Sequence, residues 1–227
     1  MLNIFVTGND KSWIEGSTIR EHSRQLDIDK LGYRADCEVA GDLSVDNDFS
    51  AVSYYIWLQN EQQHHIHTEY YFPAGQMAKH PNREVYQRWV DGGHLHLCPG
   101  NIISYTQIVN DILAHGKNLR ILQIAYDPNK AAEFTNLIVN SGGSAFLYPY
   151  KQTYYYFTKP CMAIVRMLDQ GLLTFGENPI NNYCFDNCIL DRDNMDNCKP
   201  LKRSENKKID GAITALMALG VSLEQKR

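Results

Sequence analysis

The pattern of apolar and polar positions changes rhythm near residue 80. Before that point, apolar and aromatic residues fall in short runs of strand character. Asp36-Cys-Glu-Val-Ala-Gly-Asp-Leu-Ser reads as a strand that ends on a glycine and a carboxylate. Ser50-Ala-Val-Ser-Tyr-Tyr-Ile-Trp-Leu is rich in β-branched and aromatic residues and predicts a second strand. Asn60-Glu-Gln-Gln predicts a turn, and residues 64–72 a third strand. Three consecutive strands with short links predict an antiparallel meander. Ahead of them the chain is polar and mixed, with helical spacing over residues 17–26. Residues 1–35 therefore read as a lead-in segment and residues 36–227 as the main domain.

After residue 80 the period lengthens. Residues 83–90 and 102–114 carry helical spacing, the latter with Ile103, Ile108, Ile112 and Leu113 near one face. Leu119-Arg-Ile-Leu-Gln-Ile-Ala-Tyr is an apolar run bounded by Asp127-Pro128, as expected of a strand covered on both faces in a parallel sheet. Residues 130–139 predict a helix stopped by Ser141-Gly-Gly, and residues 144–148 a short strand. Residues 160–172 predict a helix with proline near its start, and residues 209–223 a closing amphipathic helix. A meander followed by strand–helix alternation is a mixed α/β sheet flanked by helices. The chain shows no internal repeat.

Composition narrows the function classes. A chain of 227 residues, 44% hydrophobic and 21% charged, has the balance of a globular domain with a real core. Its longest apolar stretch, residues 212–221, is too short to span a bilayer, and Met1 to Thr7 lacks the basic and apolar regions of a secretion signal. No membrane association is expected, and the expected location is cytoplasmic. Six scattered cysteines read as reduced thiols, and Cys184, Cys188 and Cys198 lack the paired spacing of a structural zinc site. A net charge of −4 argues against a protein whose main task is to grip nucleic acid, but less against an enzyme whose own site is acidic.

Three carboxylates stand where such a site would form. Asp42 ends the first strand, Asp127 ends the buried strand, and Asp210 opens the last helix. Carboxylates at strand tips face the crevice where open α/β sheets bind ligands. Two of them side by side repel unless a cation neutralises them. Magnesium and manganese suit oxygen donors of this kind. Each aspartate also has an ordinary reading: Asp42 as a loop residue, Asp127 as a turn or helix cap before Pro128, and Asp210 as the complement of a helix dipole.

The residues around them carry a resemblance. Gly41-Asp42-Leu43-Ser44 is followed by Asp48-Phe49-Ser50-Ala51. Then come Trp89 with Gly92 and Gly93, Pro99-Gly100-Asn101-Ile102-Ile103, and Tyr126-Asp127-Pro128-Asn129. Asn178-Pro179, Asn187, Lys202, and Lys208-Ile209-Asp210-Gly211 with Ala215-Leu216-Met217-Ala218 close the series. In this order the segments resemble the C-terminal nuclease domain of the large terminase subunit of tailed bacteriophages or prophages, over roughly residues 36–221. Asn3 and Trp13-Ile14 resemble the stretch that links motor to nuclease in that family. The resemblance implies a ribonuclease-H-like fold, endonucleolytic cutting of concatemeric viral double-stranded DNA during packaging, and a catalytic, metal-binding triad at Asp42, Asp127 and Asp210. It also implies a packaging ATPase domain, a small terminase subunit and a portal as partners in the bacterial host cytoplasm. No G-x-x-x-x-G-K-[S/T] phosphate loop occurs in the sequence. The chain is therefore expected to be the cutting part of the machine, with residues 1–35 as the linker from an ATPase domain that it does not include.

The expected mechanism uses two Mg2+ or Mn2+ ions about 3.5–4 Å apart, one activating water and the other stabilising the leaving oxygen, with no protein nucleophile. Asp48 is a candidate supporting carboxylate or a simple turn residue. Lys202, Arg203, Lys207 and Lys208, with Lys199, flank Asp210 and are candidates for the DNA backbone. Tyr154–Tyr156 reads as strand-edge packing. His64, His65 and His67, like His94 and His96, read as exposed polar positions. Two other readings compete: a transposase, integrase or resolvase of the same fold, and an inactive docking module.

Overall fold

The computed structural model describes residues 12–31, 33–43, 49–129 and 131–225. A short helix α1 (Gly16–Glu21) and strand β1 (Ser23–Arg24) lead into the meander of β2 (Ala35–Asp42), β3 (Ser50–Leu58) and β4 (Gln63–Pro73). Helices α2 (Ala74–Met77) and α3 (Arg83–Asp91), strand β5 (His96–Cys98) and helix α4 (Tyr105–His115) follow. Strand β6 (Leu119–Tyr126), helix α5 (Ala132–Asn140), strand β7 (Leu147–Pro149) and helix α6 (Tyr154–Asp169) come next. The chain closes with β8 (Leu173–Gly176), α7 (Pro179–Asp186), the hairpin β9 (Cys188–Arg192) and β10 (Cys198–Lys202), and α8 (Asp210–Gln225).

The main sheet runs in the order β1-β8-β4-β3-β2-β6-β7, with β5 also paired to β4. β2, β3 and β4 are antiparallel, as the meander predicts, while β6 joins β2 in parallel and β7 joins β6 in parallel. This is the expected mixed sheet flanked by helices. Residues within the stretch read as a lead-in take part in it: β1 pairs with β8, α1 packs on α7, and Ile14 and Ile19 are buried in the core.

The two faces of the sheet are covered differently. Val39, Val52, Tyr54 and Ile124 meet α4 and α5 through Ile108, Ile112, Phe134 and Ile138. Ala40, Tyr55 and Ala125 meet α6 and α8 on the other face. Helix α8 departs from its expected amphipathic character, because Ile209 through Ser222 are all buried. The sheet covers one side of this helix and α6 and α7 the other. Small residues let it approach closely: a Cβ on Gly211 would lie 1.9 Å from Tyr70 Oη, and one on Gly220 would lie 2.5 Å from Tyr150 Oη. Its rotation is fixed by hydroxyls. Ser53 Oγ lies 2.7 Å from Thr214 Oγ1 and 2.9 Å from Thr68 Oγ1, tying α8 to β3 and β4. Such buried polar groups remain favourable because each has a partner.

Several boundaries moved for local reasons. α4 starts at Tyr105 because Ser104 caps it, its side chain accepting from Gln107 N at 3.2 Å. Leu113, expected on the buried face, is 45% exposed. Residues 144–146 form a 3-10 turn before β7. α6 begins at Tyr154, so the tyrosine run opens a helix instead of packing at a strand edge. That start places Pro160 inside the helix, where it has no N–H for the carbonyl of Tyr156. The buried Tyr150 hydroxyl donates to that carbonyl at 2.8 Å instead, so the helix passes through the proline.

Candidate active site

Asp42 and Asp127 come together through strand register. β2 and β6 pair Ala35 with Leu119 and Cys37 with Ile121, then shift so that Glu38 pairs with Gln123 and Gly41 with Tyr126. Leu122 is the residue passed over, and a bulge of this kind re-aims every side chain beyond it. One step past the Gly41–Tyr126 pair, on both strands, stand Asp42 and Asp127. The side chains of Ala40 and Ala125, two residues earlier, meet the α8 face of the sheet, and strand alternation gives the two aspartates that same face. Asp210, the first residue of α8, reaches the spot from above and is 8% exposed.

All three line one cleft of about 520 Å³, together with Leu43, Gln152, Pro200, Leu201, Lys202, Glu205, Ile209 and Ile213. Asp42 and Asp127 are half-buried. Asp127 Oδ1 accepts from both the backbone N and the side-chain Nδ2 of Asn129, each at 3.0 Å, so the turn function expected for an aspartate before proline is present as well. Asp210 carries negative charge into a dry region. Burial first, and then the Asp210 carboxylate, pushes the Cys184 thiol up; burial, Cys184 and Asp210 together push Tyr70 up. Asp48 lies outside the described residues.

Of the basic candidates, Lys202 lines the cleft from the end of β10. Arg203 and Lys207 are exposed and Lys208 is half-buried. The Lys207 ammonium sits 6.0 Å from the centroid of the Tyr183 ring, a cation–π contact at the outer limit of range. Two polar members of the cleft escaped the reading of the sequence: Gln152, just before α6, and Glu205, an acid inside the basic run that precedes Asp210. The signal for Glu205 was its place between Lys202 and Lys208.

The other recognisable segments do not line the cleft. Asn178 caps α7 by accepting from Ile180 N at 2.9 Å, with Pro179 in the first helical position. Trp89 packs with Tyr86 and Phe49, and Gly100 adopts φ 90° where the Pro99-Gly100-Asn101 turn requires it. The cysteines are all buried as free thiols among the described residues.

The histidine-rich strand overturns its expected exposure. His65 is fully buried, and burial, helped by His67 and Arg24, pushes its pKa down to about 3. His64, His67, His94 and His96 are half-buried. For Glu69, burial pushes the carboxyl up, but the hydrogen bond from His115 and the charges of His115, His67 and His96 outweigh it and hold the pKa at about 2.

Comparison with known proteins agrees with this architecture. The family model for the terminase large subunit, endonuclease domain, matches residues 2–226. Protein YmfN of Escherichia coli (strain K12) is 27% identical over 141 residues, 60% of this chain and 30% of its own length. The large terminase of bacteriophage HK97 superposes with a TM-score of 0.81 at 20% identity, over 92% of this chain and 43% of the terminase. The large terminase nuclease of thermophilic phage G20c, solved with bound magnesium, superposes with a TM-score of 0.57 at 10% identity, over 93% and 98% of the two chains. The chain thus spans less than half the length of YmfN and of the HK97 terminase.

Proposed function

Because the chain belongs to the terminase large subunit endonuclease domain family, we propose that it hydrolyses phosphodiester bonds of double-stranded DNA with divalent metal held by Asp42, Asp127 and Asp210. One observation carries the reading: three carboxylates from two adjacent strand ends and a helix start line a single cleft. Hard oxygen donors in a water-accessible cleft fit Mg2+ or Mn2+, and the magnesium bound to the G20c nuclease supports the same choice. When bound there, such ions supply Lewis acidity for water activation and for the charge that builds at phosphorus.

The chain's own residues do the positioning. Asp42 is fixed by its ladder with β3, and Asp127 by Asn129. Asp210 is fixed by a helix buried on every side. Lys202 brings positive charge to the wall of a cleft that is otherwise acidic, where it can meet a phosphate oxygen. The substrate we infer is concatemeric viral DNA in the bacterial host cytoplasm. A packaging ATPase domain, a small terminase subunit and a portal are its partners there.

Incubated with supercoiled plasmid, the chain is expected to nick and then linearise it in Mn2+ or Mg2+, and EDTA is expected to stop the reaction. Gel analysis decides: no cleavage with either ion sinks the reading, and strand-transfer products would assign the chain to a recombinase instead. Replacing Lys202 and Lys207 together by alanine is expected to weaken duplex binding alike for all sequences. It should also flatten the dependence of log K on log salt by about 0.9 for each phosphate that is no longer neutralised. Anisotropy titrations at several salt concentrations measure this, and an unchanged slope would remove both lysines from the interface.

A further inference from the structure

On the face of the sheet away from α8, β4 presents His67 and Glu69 two residues apart, and therefore side by side. The last residue of α4, His115, closes over them. One ligand atom from each of the three lies within 4.8 Å of the others. We propose that His67, Glu69 and His115 form a second metal site, selective for a zinc-type ion and separate from the aspartate cleft.

The geometry suits that ion. His115 Nε2 stands 3.0 Å from Glu69 Oε1. Two ligands of a tetrahedral zinc bound at about 2.0–2.1 Å lie about 3.3 Å apart, so little movement seats both. Glu69 is oriented from behind: the Tyr54 hydroxyl lies 3.1 Å and the Tyr71 hydroxyl 3.0 Å from Oε2, while Oε1 faces His115. Outer hydrogen bonds of this sort are what hold a ligating carboxylate in place. Tyr71 also reaches Asp111 Oδ2 at 3.0 Å, one helical turn before His115, linking the strand to the helix that supplies the third ligand. Two imidazoles and one carboxylate make a set that zinc prefers and that magnesium, an all-oxygen ion, does not.

The site is open on one side. His67 and Glu69 line a cavity of about 430 Å³ with His96, Gly93 and Glu177, so a fourth position is accessible to water. Thr68, the residue between the two strand ligands, points the other way into the hydroxyl cluster with Ser53 and Thr214. The sheet therefore separates this site from Asp210. Without an ion, the same contact is a histidine–carboxylate hydrogen bond. What raises it above one is the third ligand and the cavity beside it.

Cobalt(II) serves as the probe, since it occupies zinc sites and absorbs strongly in the visible when four- or five-coordinate, and only weakly when six-coordinate. The chelator-treated chain is expected to bind one Co2+ with visible absorption, and Zn2+ is expected to displace it. Asp42→Asn with Asp210→Asn should leave that absorption intact, which separates the site from the nuclease reading. His115→Ala and Glu69→Gln should each weaken binding by more than about 100-fold, and Tyr54→Phe by about tenfold. Melting in EDTA identifies which variants are folded, and affinity is compared among those. No visible absorption from the wild-type chain, equal affinity in a folded His115→Ala or Glu69→Gln variant, or loss of the band on changing Asp42 and Asp210 would each overturn the proposal.

Discussion

Replacing Asp210 by asparagine is expected to reduce plasmid cleavage to below about a thousandth of the wild-type rate without unfolding the chain. The substitution keeps the size of the side chain at a position 8% exposed, so packing beneath α8 is preserved. What it removes is one of three anionic donors in the cleft. Metal-ion stabilisation of transition-state charge is worth several kcal/mol, and ~4 kcal/mol corresponds to a rate factor of about a thousand. The same variant should separate binding from folding in a thermal melt. At a divalent-ion concentration about 100 times Kd, the wild-type chain gains about 2.7 kcal/mol, or roughly 5–10 °C for a chain of this size. Asp210→Asn should lose most of that gain. Without metal it should melt no lower than wild type, because one of three like charges has gone. Wild-type nicking by this variant in Mn2+ would remove Asp210 from the mechanism.

The second large effect is expected one residue further on. A Cβ at Gly211 would stand 1.9 Å from Tyr70 Oη, 2.7 Å from Cζ and 2.9 Å from Cε1. The tyrosine has nowhere to retreat: its side chain is fully buried and its hydroxyl donates to Asn181 Oδ1 at 2.6 Å. Gly211→Ala therefore has to move the start of α8, and Asp210 with it. Overpacking of this kind costs about 1–3 kcal/mol. At about 2–4 °C per kcal/mol the melting temperature should fall by roughly 2–12 °C, with cleavage falling as well. Adding Tyr70→Phe removes the worst contact and should restore part of the stability. If Gly211→Ala melts like wild type, α8 is not packed as tightly as the distances require.

The helices α4 and α5 were legible because their burial is periodic along the chain, and the meander, β6 and α8 because their apolar residues gather in runs. The sheet with its helical flanks followed from them. Other parts were not. The strand β8, helix α7 and the β9–β10 hairpin are short, and their apolar residues, Phe175, Ile180 and Phe185 among them, are held by neighbours distant in sequence. The start of α6 was hidden by Pro160, whose cost is met by Tyr150 from ten residues upstream. At the site, each aspartate was visible as a residue at the end of an element. Local pattern alone did not bring them together, and the triad was implied by the resemblance; in the fold their approach depends on the register shift at Leu122, which no local pattern announces. The histidines failed for the opposite reason. Polar residues alternating along a strand look solvated, yet His65 is fully buried beside β8, its Nδ1 2.9 Å from Thr174 Oγ1.

The burial of α8 from Asp210 to Ser222 has a consequence for how the site behaves in time. Hydrogen exchange in a folded protein proceeds through local openings where these are cheap, and through global unfolding where they are not. A helix enclosed by the sheet, α6 and α7 has no inexpensive local opening. The amides that follow Asp210 therefore belong to the last cooperative unit to open. One of the three acids thus rides on the slowest-exchanging part of the molecule, so its position lasts as long as the fold itself.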